Sequence, residues 1–504
     1  MRILIRIVFV IFIAKGIDCL GSDNCCNFPK YENIIKDENI TAESLVNKDW
    51  YNAKKGNPVL MIFKKRDDKD IFTSIDNKNK ISIESAEEGN HKIAYKDESE
   101  KELKLEDKKY ALFEIKTKDE NTVYLYCSDI ESSENNNGIF NGTNHVSISV
   151  IACDTEKVTH VEYMFYNCSS LKELDLNNFN TTNVTDMHSM FSGCSSLKEI
   201  DLKNFNVSKV KDMGRMFYFC EKLITLGFWE NFNTINVTNM EEMFNNCTSL
   251  KKLDLNNFNT TNVTNMCFMF YKCSSLTELD ISNFNTINVM EMMGMFCDCK
   301  NLKKLELGKK FNTKNVTNMR GMFKECNNLT ELDLNNFDTS KVKDMGSIFY
   351  GCSSLTKLNL KNFNTTKVKH IGRMFKKCSN LTEIEFGENF NTINVTNMAY
   401  MFSDCKKLTK LDLKNFNTSN VTDMYSMFYE CSSLKEIDLK NFNTSKVTDM
   451  EYMFSGCNNL TGLEFGENFN TTNVKNMEGM FENCEKLSED TISKILNNNQ
   501  ITTQ

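Results

Sequence analysis

The stretch Val184–Lys209, VTDMHSMFSGCSSLKEIDLKNFNVSK, decides the fold. Its Val184, Met187, Met190, Phe191 and Cys194 fall at spacings of three, three, one and three, the stripe of a short helix. Leu197, Ile200 and Leu202 then follow the strand pattern L-x-x-L-x-L, and Phe205 closes the unit before a polar Asn/Thr turn. The spacing predicts one helical turn or two, one short strand and a loop, with the apolar side chains pointing to one side. Thr185 followed by Asp186 is a fair helix start, and Thr238-x-x-Glu241 and Thr448-x-x-Glu451 have the form of capping boxes.

The same unit recurs along the chain. Met-Phe pairs begin at Met164, Met190, Met216, Met243, Met269, Met295, Met322, Met374, Met401, Met427, Met453 and Met480, with Ile348 standing in once. The intervals run 26, 26, 27, four times over, which makes thirteen copies in a 79-residue superperiod. Ordinary copies read LDLNNFN, whereas every third is built like Leu463-Glu-Phe-Gly-Glu-Asn-Phe469. One coil cannot bury such an apolar face alone, so the copies must stack into a continuous core.

The register accounts for an odd composition: 20 Cys, 27 Met and 37 Phe beside only 2 Pro and 5 His in 504 residues. One Cys per coil lies three residues after the Phe of the pair, from Cys168 and Cys194 to Cys457 and Cys484. Phe179, Phe205, Phe232 and their later equivalents form a second column. These are ladders of packing residues, in which a free cysteine acts as a small hydrophobe. The net charge of −8 argues against a nucleic-acid partner. His91, His145, His160, His188 and His370 are too scattered for a His-based catalytic or metal centre.

With its LxxLxL strand and VTDM-x-x-MF-x-x-C-x-SL segment, the chain resembles the BspA-type leucine-rich repeat family of surface proteins. The match covers about 157–484. The resemblance implies an α/β solenoid, a leucine-rich-repeat right-handed superhelix with a parallel concave sheet and short convex helices, displayed outside the cell to bind proteins or surfaces. The Asn/Thr density of the turns departs from the family pattern, and no wall-sorting or membrane anchor is evident.

Candidate chemistry is sparse. A parallel stack presents every thiol of the cysteine column in the same direction, which suits neither disulfides nor a tetrahedral metal site. Beside Phe, the Met stripe is core packing and no copper site. Cys267, and Cys297 beside Cys299, stand outside the column on neighbouring coils and could pair. On the concave strand face one column is almost wholly acidic: Asp175, Asp201, Asp254, Asp280, Glu306, Asp333, Glu385, Asp412, Asp438 and Glu464, interrupted by Gly227 and Asn359. Stacked like charges repel. Either lysines of the same face such as Lys172, Lys198, Lys251 and Lys435 compensate them, or the column recognises a basic or cation-bridged ligand. Calcium along the column is a variant of the second reading. Eighteen Asn-x-Ser/Thr triplets stand in the repeats, with Asn39 and Asn141 outside them. Turn chemistry explains the motif, and glycosylation would be an addition.

The ends differ from the repeats. Arg2 and Arg6 precede the apolar run Ile7–Ala14, the form of a secretory signal over residues 1–21. A lipid-attachment Cys19 and a buried strand are the rival readings. Residues 22–156 carry alternating segments, Tyr110–Lys116, Val123–Cys127 and Val146–Val150, separated by charged stretches such as Lys96–Lys109. They predict a small β-rich N-terminal domain that covers the first coil. Cys25, Cys26, Cys127 and Cys153 could form one or two disulfides of open connectivity. Residues 485–504 predict a capping helix over Glu485–Leu496 and a tail.

The sequence therefore predicts four parts, 1–21, 22–156, the thirteen repeats 157–484, and 485–504. Together they read as a secreted or surface-displayed binding protein for adhesion or host/cell-surface interaction, with an extracellular protein or cell-surface ligand. A structural coat or self-associating scaffold is the alternative. No catalytic set, cofactor, metal site, nucleic-acid partner or transmembrane span is expected.

Overall fold

The structure, a computed structural model, describes the backbone of eight strands between Val59 and Cys153, and residues 159–496 apart from 178 and 229–231. The chain divides into two compact units, Met1–Asn236 and Val237–Gln504.

The first unit opens with β1 (Val59–Arg66), β2 (Lys69–Ile75), β3 (Ile81–Ser85), β4 (His91–Lys96), β5 (Glu102–Lys104), β6 (Ala111–Lys116), β7 (Thr122–Cys127) and β8 (Ser147–Cys153). The alternating segments of the sequence are β6, β7 and β8, and the charged stretch Lys96–Lys109 contains β5. β3, β4 and β5 make one antiparallel sheet. The larger sheet runs β2-β1-β7-β6-β8-β9, where β9 (Glu173–Asp175) is the first repeat strand, and β8 pairs with it in parallel, Ile148 opposite Leu174. Cys127 and Cys153 both lie opposite Ala111, one on each side of β6. Two strand spacings, about 10 Å, separate them, beyond the reach of one disulfide.

The repeat strands are short. β10 (Glu199–Asp201) pairs in parallel with β11 (Thr225–Gly227). In the second unit β12 (Glu278–Asp280) pairs with β13 (Lys304–Glu306), β14 (Lys357–Leu360) with β15 (Glu383–Phe386), and β16 (Glu436–Leu439) with β17 (Gly462–Phe465). The register matches L-x-x-L-x-L copy for copy: Ile200 opposite Leu226, Leu279 opposite Leu305, Ile437 opposite Leu463. The repeats form parallel β-solenoid turns, about twelve in all, with almost no helix.

The convex helices are the correction. Among the described residues the only helix is α1 (Glu489–Leu496), and the Met-Phe segments are tandem turns. In one coil Met190 N–H donates to Met187 O, Ser192 N–H to Ser189 O and Cys194 N–H to Phe191 O, each closing a four-residue turn. The intervening amides leave the coil: Met187, Ser189, Phe191 and Gly193 donate to Asp212, Gly214, Met216 and Tyr218 of the next one. Ser189 and Gly193 have φ of 55° and 78°, the left-handed third residue of a type II turn. Two such residues recur in every coil, from Tyr163 and Asn167 to Gly479 and Asn483. The threonines expected as helix caps donate backwards instead, Thr185 Oγ1 to Thr159 O and Thr448 Oγ1 to Thr422 O. A turn ladder and a helix share the spacing three, three, one, three. Here alternate amides find partners in the neighbouring coil.

Core residues are the ones the register selects. Val395, Met398, Met401, Phe402, Cys405 and Leu408 of one coil are all fully buried. The phenylalanines of the pairs stack down the second unit with ring centroids 5.4–5.9 Å apart, as in Phe375–Phe402, 5.4 Å, and Phe323–Phe349, 5.9 Å. Three of the four coils with an extra residue fit it at a glycine, Gly308, Gly387 and Gly466. A Cβ on Gly308 would lie 1.8 Å from Ser282 O, and on Gly387 2.0 Å from Lys361 O, so the chain passes against the preceding backbone. α1 begins four residues later than its apolar pattern suggests. Ser488 Oγ accepts Thr491 N–H, and Glu489 and Asp490 occupy the first turn.

Candidate functional site

The strand face displays three outward columns per coil. The acidic column stands where expected: Asp175, Asp201, Asp254, Asp280, Glu306, Asp333, Asp412, Asp438 and Glu464 are exposed and Glu385 is half-buried. In-register neighbours include Asp280 with Glu306 and Asp438 with Glu464. The aspartates have a backbone task. Oδ1 of Asp175, Asp201, Asp254, Asp280, Asp333, Asp412 and Asp438 accepts the N–H two residues on, at 2.9–3.1 Å, turning the chain out of the strand. Glutamate appears only in the coils with the extra residue, where Gly308, Gly387 and Gly466 make that bend.

Charge on this face is balanced by lysines that sequence reasoning missed. Ion pairs join Lys203–Asp201 at 3.2 Å, Lys304–Glu306 and Lys361–Glu385 at 2.9 Å, and Lys414–Asp412 at 2.9 Å; Lys440 pairs with Glu464. One residue before the last strand hydrophobe but one, Lys252, Glu278, Lys304, Glu331, Lys357, Glu383, Lys410 and Glu436 alternate in sign from coil to coil. Reading the coils in columns would have shown this. Lys357 and Glu383 are in register and 3.1 Å apart, the opposite-charge pairing that a ladder favours. Hydrogen bonds from Ser282, with Lys304 nearby, hold the Asp280 carboxyl below its usual range. The Asp412 carboxyl also lies low, because partial burial is outweighed by Lys414.

An open depression of about 730 Å³ lies on the strand face of the first unit. Ser147 and Ser149 of β8 form one side, and Lys172, Glu173, Asp175, Glu199 and Asp201 line the rest. Gly227 ends it, with nothing within 4 Å of where a Cβ would stand. The depression therefore brings together the first two members of the acidic column and two further carboxylates.

The thiols of the cysteine column are buried and form no disulfide, and the same holds for the two extra cysteines, Cys267 and Cys297. Eleven of the thirteen column thiols donate to the Phe carbonyl of the preceding coil, as Cys194 to Phe165 O at 3.1 Å and Cys378 to Phe349 O at 3.1 Å. Burial pushes the Cys220, Cys267, Cys297 and Cys378 thiols up to about 12. Nucleophilic or metal-binding thiolates need the reverse. Among the described residues no three His, Cys, Asp or Glu side chains are grouped to hold a metal ion, and no helix is long and apolar enough to cross a membrane.

Asn-x-Ser/Thr motifs serve the turns. Oδ1 of Asn364, Asn417 and Asn443 accepts the N–H two residues on, from the very Ser or Thr of the motif. Nδ2 of Asn236, Asn315, Asn394 and Asn420 donates to a carbonyl of the preceding coil. Asn39, Asn141, Cys25, Cys26 and the 1–21 segment lie outside the described residues, and Cys127 and Cys153 are described by backbone alone.

No curated protein matches the chain in sequence. Structural neighbours are bacterial leucine-rich repeat surface proteins. A leucine-rich repeat protein from Bacteroides ovatus is 17% identical with a TM-score of 0.38, over 72% of this chain and 95% of that one. A leucine rich cell surface protein from Faecalibacterium prausnitzii is 20% identical with a TM-score of 0.35, over 61% and 76%. The functional domain of InlJ from Listeria monocytogenes, which includes a cysteine ladder, is 14% identical with a TM-score of 0.17, over 66% of each. Segments 134–230, 224–308, 304–386 and 381–495 match one family model, well over half of the sequence. The chain thus belongs to the family described as Mycoplasma protein of unknown function, DUF285.

Proposed function

We propose that the chain is a secreted or surface-displayed leucine-rich-repeat protein that binds an extracellular protein or cell-surface ligand in adhesion or host interaction, without catalysis. In this reading residues 1–21 are a secretory signal. Residues 22–156 are a β-rich domain that caps the repeats 157–484, and 485–504 close the other end. The coils wind into a right-handed superhelix of the BspA type, with the strand face as its concave surface. The acidic column from Asp175 to Glu464 contacts the ligand. Cys25, Cys26, Cys127 and Cys153 form one or two disulfides.

One observation carries the reading: the open depression of the first unit, where Glu173, Asp175, Glu199 and Asp201 are gathered on the strand face beside Lys172, with Lys203 on Asp201. Repetition of near-identical strands favours avidity over an extended target. The test is affinity capture of surface-protein preparations by the mature chain, beside an Asp175→Lys/Asp201→Lys variant. Capture should fall by roughly tenfold or more in the variant, and its salt dependence should flatten. Unchanged capture with unchanged salt dependence would remove the strand face from the binding site.

A further inference from the structure

In an array of copied units, the positions that differ are those that packing does not dictate. Here they flank the Met-Phe pair, in the turn segment: the coil at 184–194 has His188, Ser189, Ser192 and Gly193, the two serines buried, while the coil at 368–378 has Gly372, Arg373, Lys376 and Lys377. Charge is unevenly spread over these segments in the second unit. In segments 316–326, 342–352 and 368–378 stand Arg320, Lys324, Lys343, Lys369, Arg373, Lys376 and Lys377, against only Glu325 and Asp344. The next three segments, 395–405, 421–431 and 447–457, carry five carboxylates and no cation.

These cations are held in an unusual way for this chain. On the strand face, lysines sit on carboxylates, which cancel their charge. In these three coils Arg320 has such a partner, Asp344 at 3.4 Å. Lys324, Arg373, Lys376 and Lys377 lie over tyrosine rings. Lys324 Nζ is 5.4 Å and Lys377 Nζ 5.8 Å from the centre of the Tyr350 ring. Lys376 Nζ is 3.5 Å and the Arg373 guanidinium 5.3 Å from that of Tyr400. A ring face steadies a cation without neutralising it. Partial burial, to which Arg373 and Lys377 add repulsion, holds the Lys376 ammonium below its usual range despite Asp404. So the patch keeps positive charge concentrated against its own repulsion. Gly346, Ser347 and Gly351 of the middle coil stand between the cations of the coil before and those of the coil after, with the Glu325 carboxyl against Gly351 and Asp344 Oδ1 against Gly346.

We propose that the turn face of the three coils within 316–378, completed by Tyr400, is a docking site for an anionic polysaccharide bearing sulfate or carboxylate groups. The guanidinium of Arg373 suits bidentate contact with such groups. A folded protein partner would call for an apolar centre, which the patch lacks. Single-stranded nucleic acid would need open ring faces for base stacking, and the tyrosine faces already carry cations. The site does not depend on the strand-face reading, and the two sets of variants report separately.

The test is retention of the full chain on immobilised heparin, with soluble dextran and a single-stranded oligonucleotide as competitors. The chain should bind at low salt. Arg373→Glu/Lys377→Glu should weaken binding by roughly tenfold or more, and so should Lys343→Glu/Lys369→Glu, which leaves the tyrosine contacts alone. Lys410→Glu/Lys435→Glu, an equal change of net charge on the strand face, should retain binding. Dextran should not compete, and the oligonucleotide should compete far less than heparin. Absence of retention, equal loss in all three charge-reversed variants, or an oligonucleotide competing as well as heparin would each overturn the proposal; urea midpoints establish that the variants compared are folded.

Discussion

At the scale of the residue, the cysteine of each coil explains itself as a packing group with one weak donor. The Phe carbonyl that it meets already accepts an amide inside its own coil, as Phe349 O accepts Cys352 N–H, and the thiol of Cys378 supplies a second partner. Alanine would lose that contact and leave a small void, so Cys378→Ala should lower stability by about 1–2 kcal/mol. The same burial makes the column a titration switch. A thiol ionises near 8.5 in an unfolded chain, whereas Cys220 and Cys378 are pushed up to about 12 and Cys484 to about 11 in the fold. Between those limits the unfolded chain has released protons that the native one retains. Stability is therefore complete below pH ~8.5 and falls as pH rises, by about 1.4 kcal/mol per unit for each such thiol. Urea midpoints measured from pH 7 to 10.5 should be level at first and then drop steeply. Iodoacetamide at pH 8 should label the repeat cysteines only after denaturant is added. Rapid native labelling of Cys378 or Cys220 would show that the column is not held as described.

At the scale of the element, the strand was legible and the convex segment was not. L-x-x-L-x-L places Leu197, Ile200 and Leu202 inward in either case, because the alternation of a strand has one solution. Val184, Met187, Met190, Phe191 and Cys194 satisfy a helix and a run of tandem turns equally well. What separates them is the residue just before the pair and the one just before the cysteine, whose left-handed backbone no helix accepts. Glycine at some of these places (Gly193, Gly294, Gly351, Gly456) was a usable signal, obscured by Arg, Glu, Tyr or Phe in other coils. The acidic column was found from alternation alone, but its aspartates turned out to shape the strand exit, a role visible only in hydrogen bonds. The left-handed sites make an opposed pair of predictions. Ser347, at φ 58°, should gain about 0.5–1 kcal/mol on replacement by glycine. Gly351, at φ 75° with the Glu325 carboxyl 2.9 Å from a Cβ, should lose about 1–2 kcal/mol on replacement by alanine. Urea midpoints of the two variants should move in opposite directions. A helical segment would reverse both signs.

At the scale of the whole molecule, the coils within each unit contact their neighbours through amides, thiols, rings and asparagines at fixed places, so stability accumulates coil by coil. Thr260, Thr339 and Thr418 show how complete the fit is. Each buried hydroxyl donates to a carbonyl of the next coil, Asn285 O, Asn364 O and Asn443 O, and accepts the amide of the same residue. Because the 26-26-27 register returns after 79 residues, a block of that length is interchangeable with any other in phase. Removing 317–395 joins Val316 to Thr396 and restores the sequence Val-Thr-Asn-Met without a seam. The shortened chain should fold, with the slope of its urea transition reduced in rough proportion to the surface removed. Deleting 70 residues from the same start, which puts the ladders out of phase, should give a chain that aggregates or melts at a much lower urea concentration. If both deletions behaved alike, the coil register would not be what holds the array together. The in-phase deletion also removes Arg320, Arg373 and Lys377 while keeping the acidic coils, so it should fold normally and yet pass through a heparin column unretained.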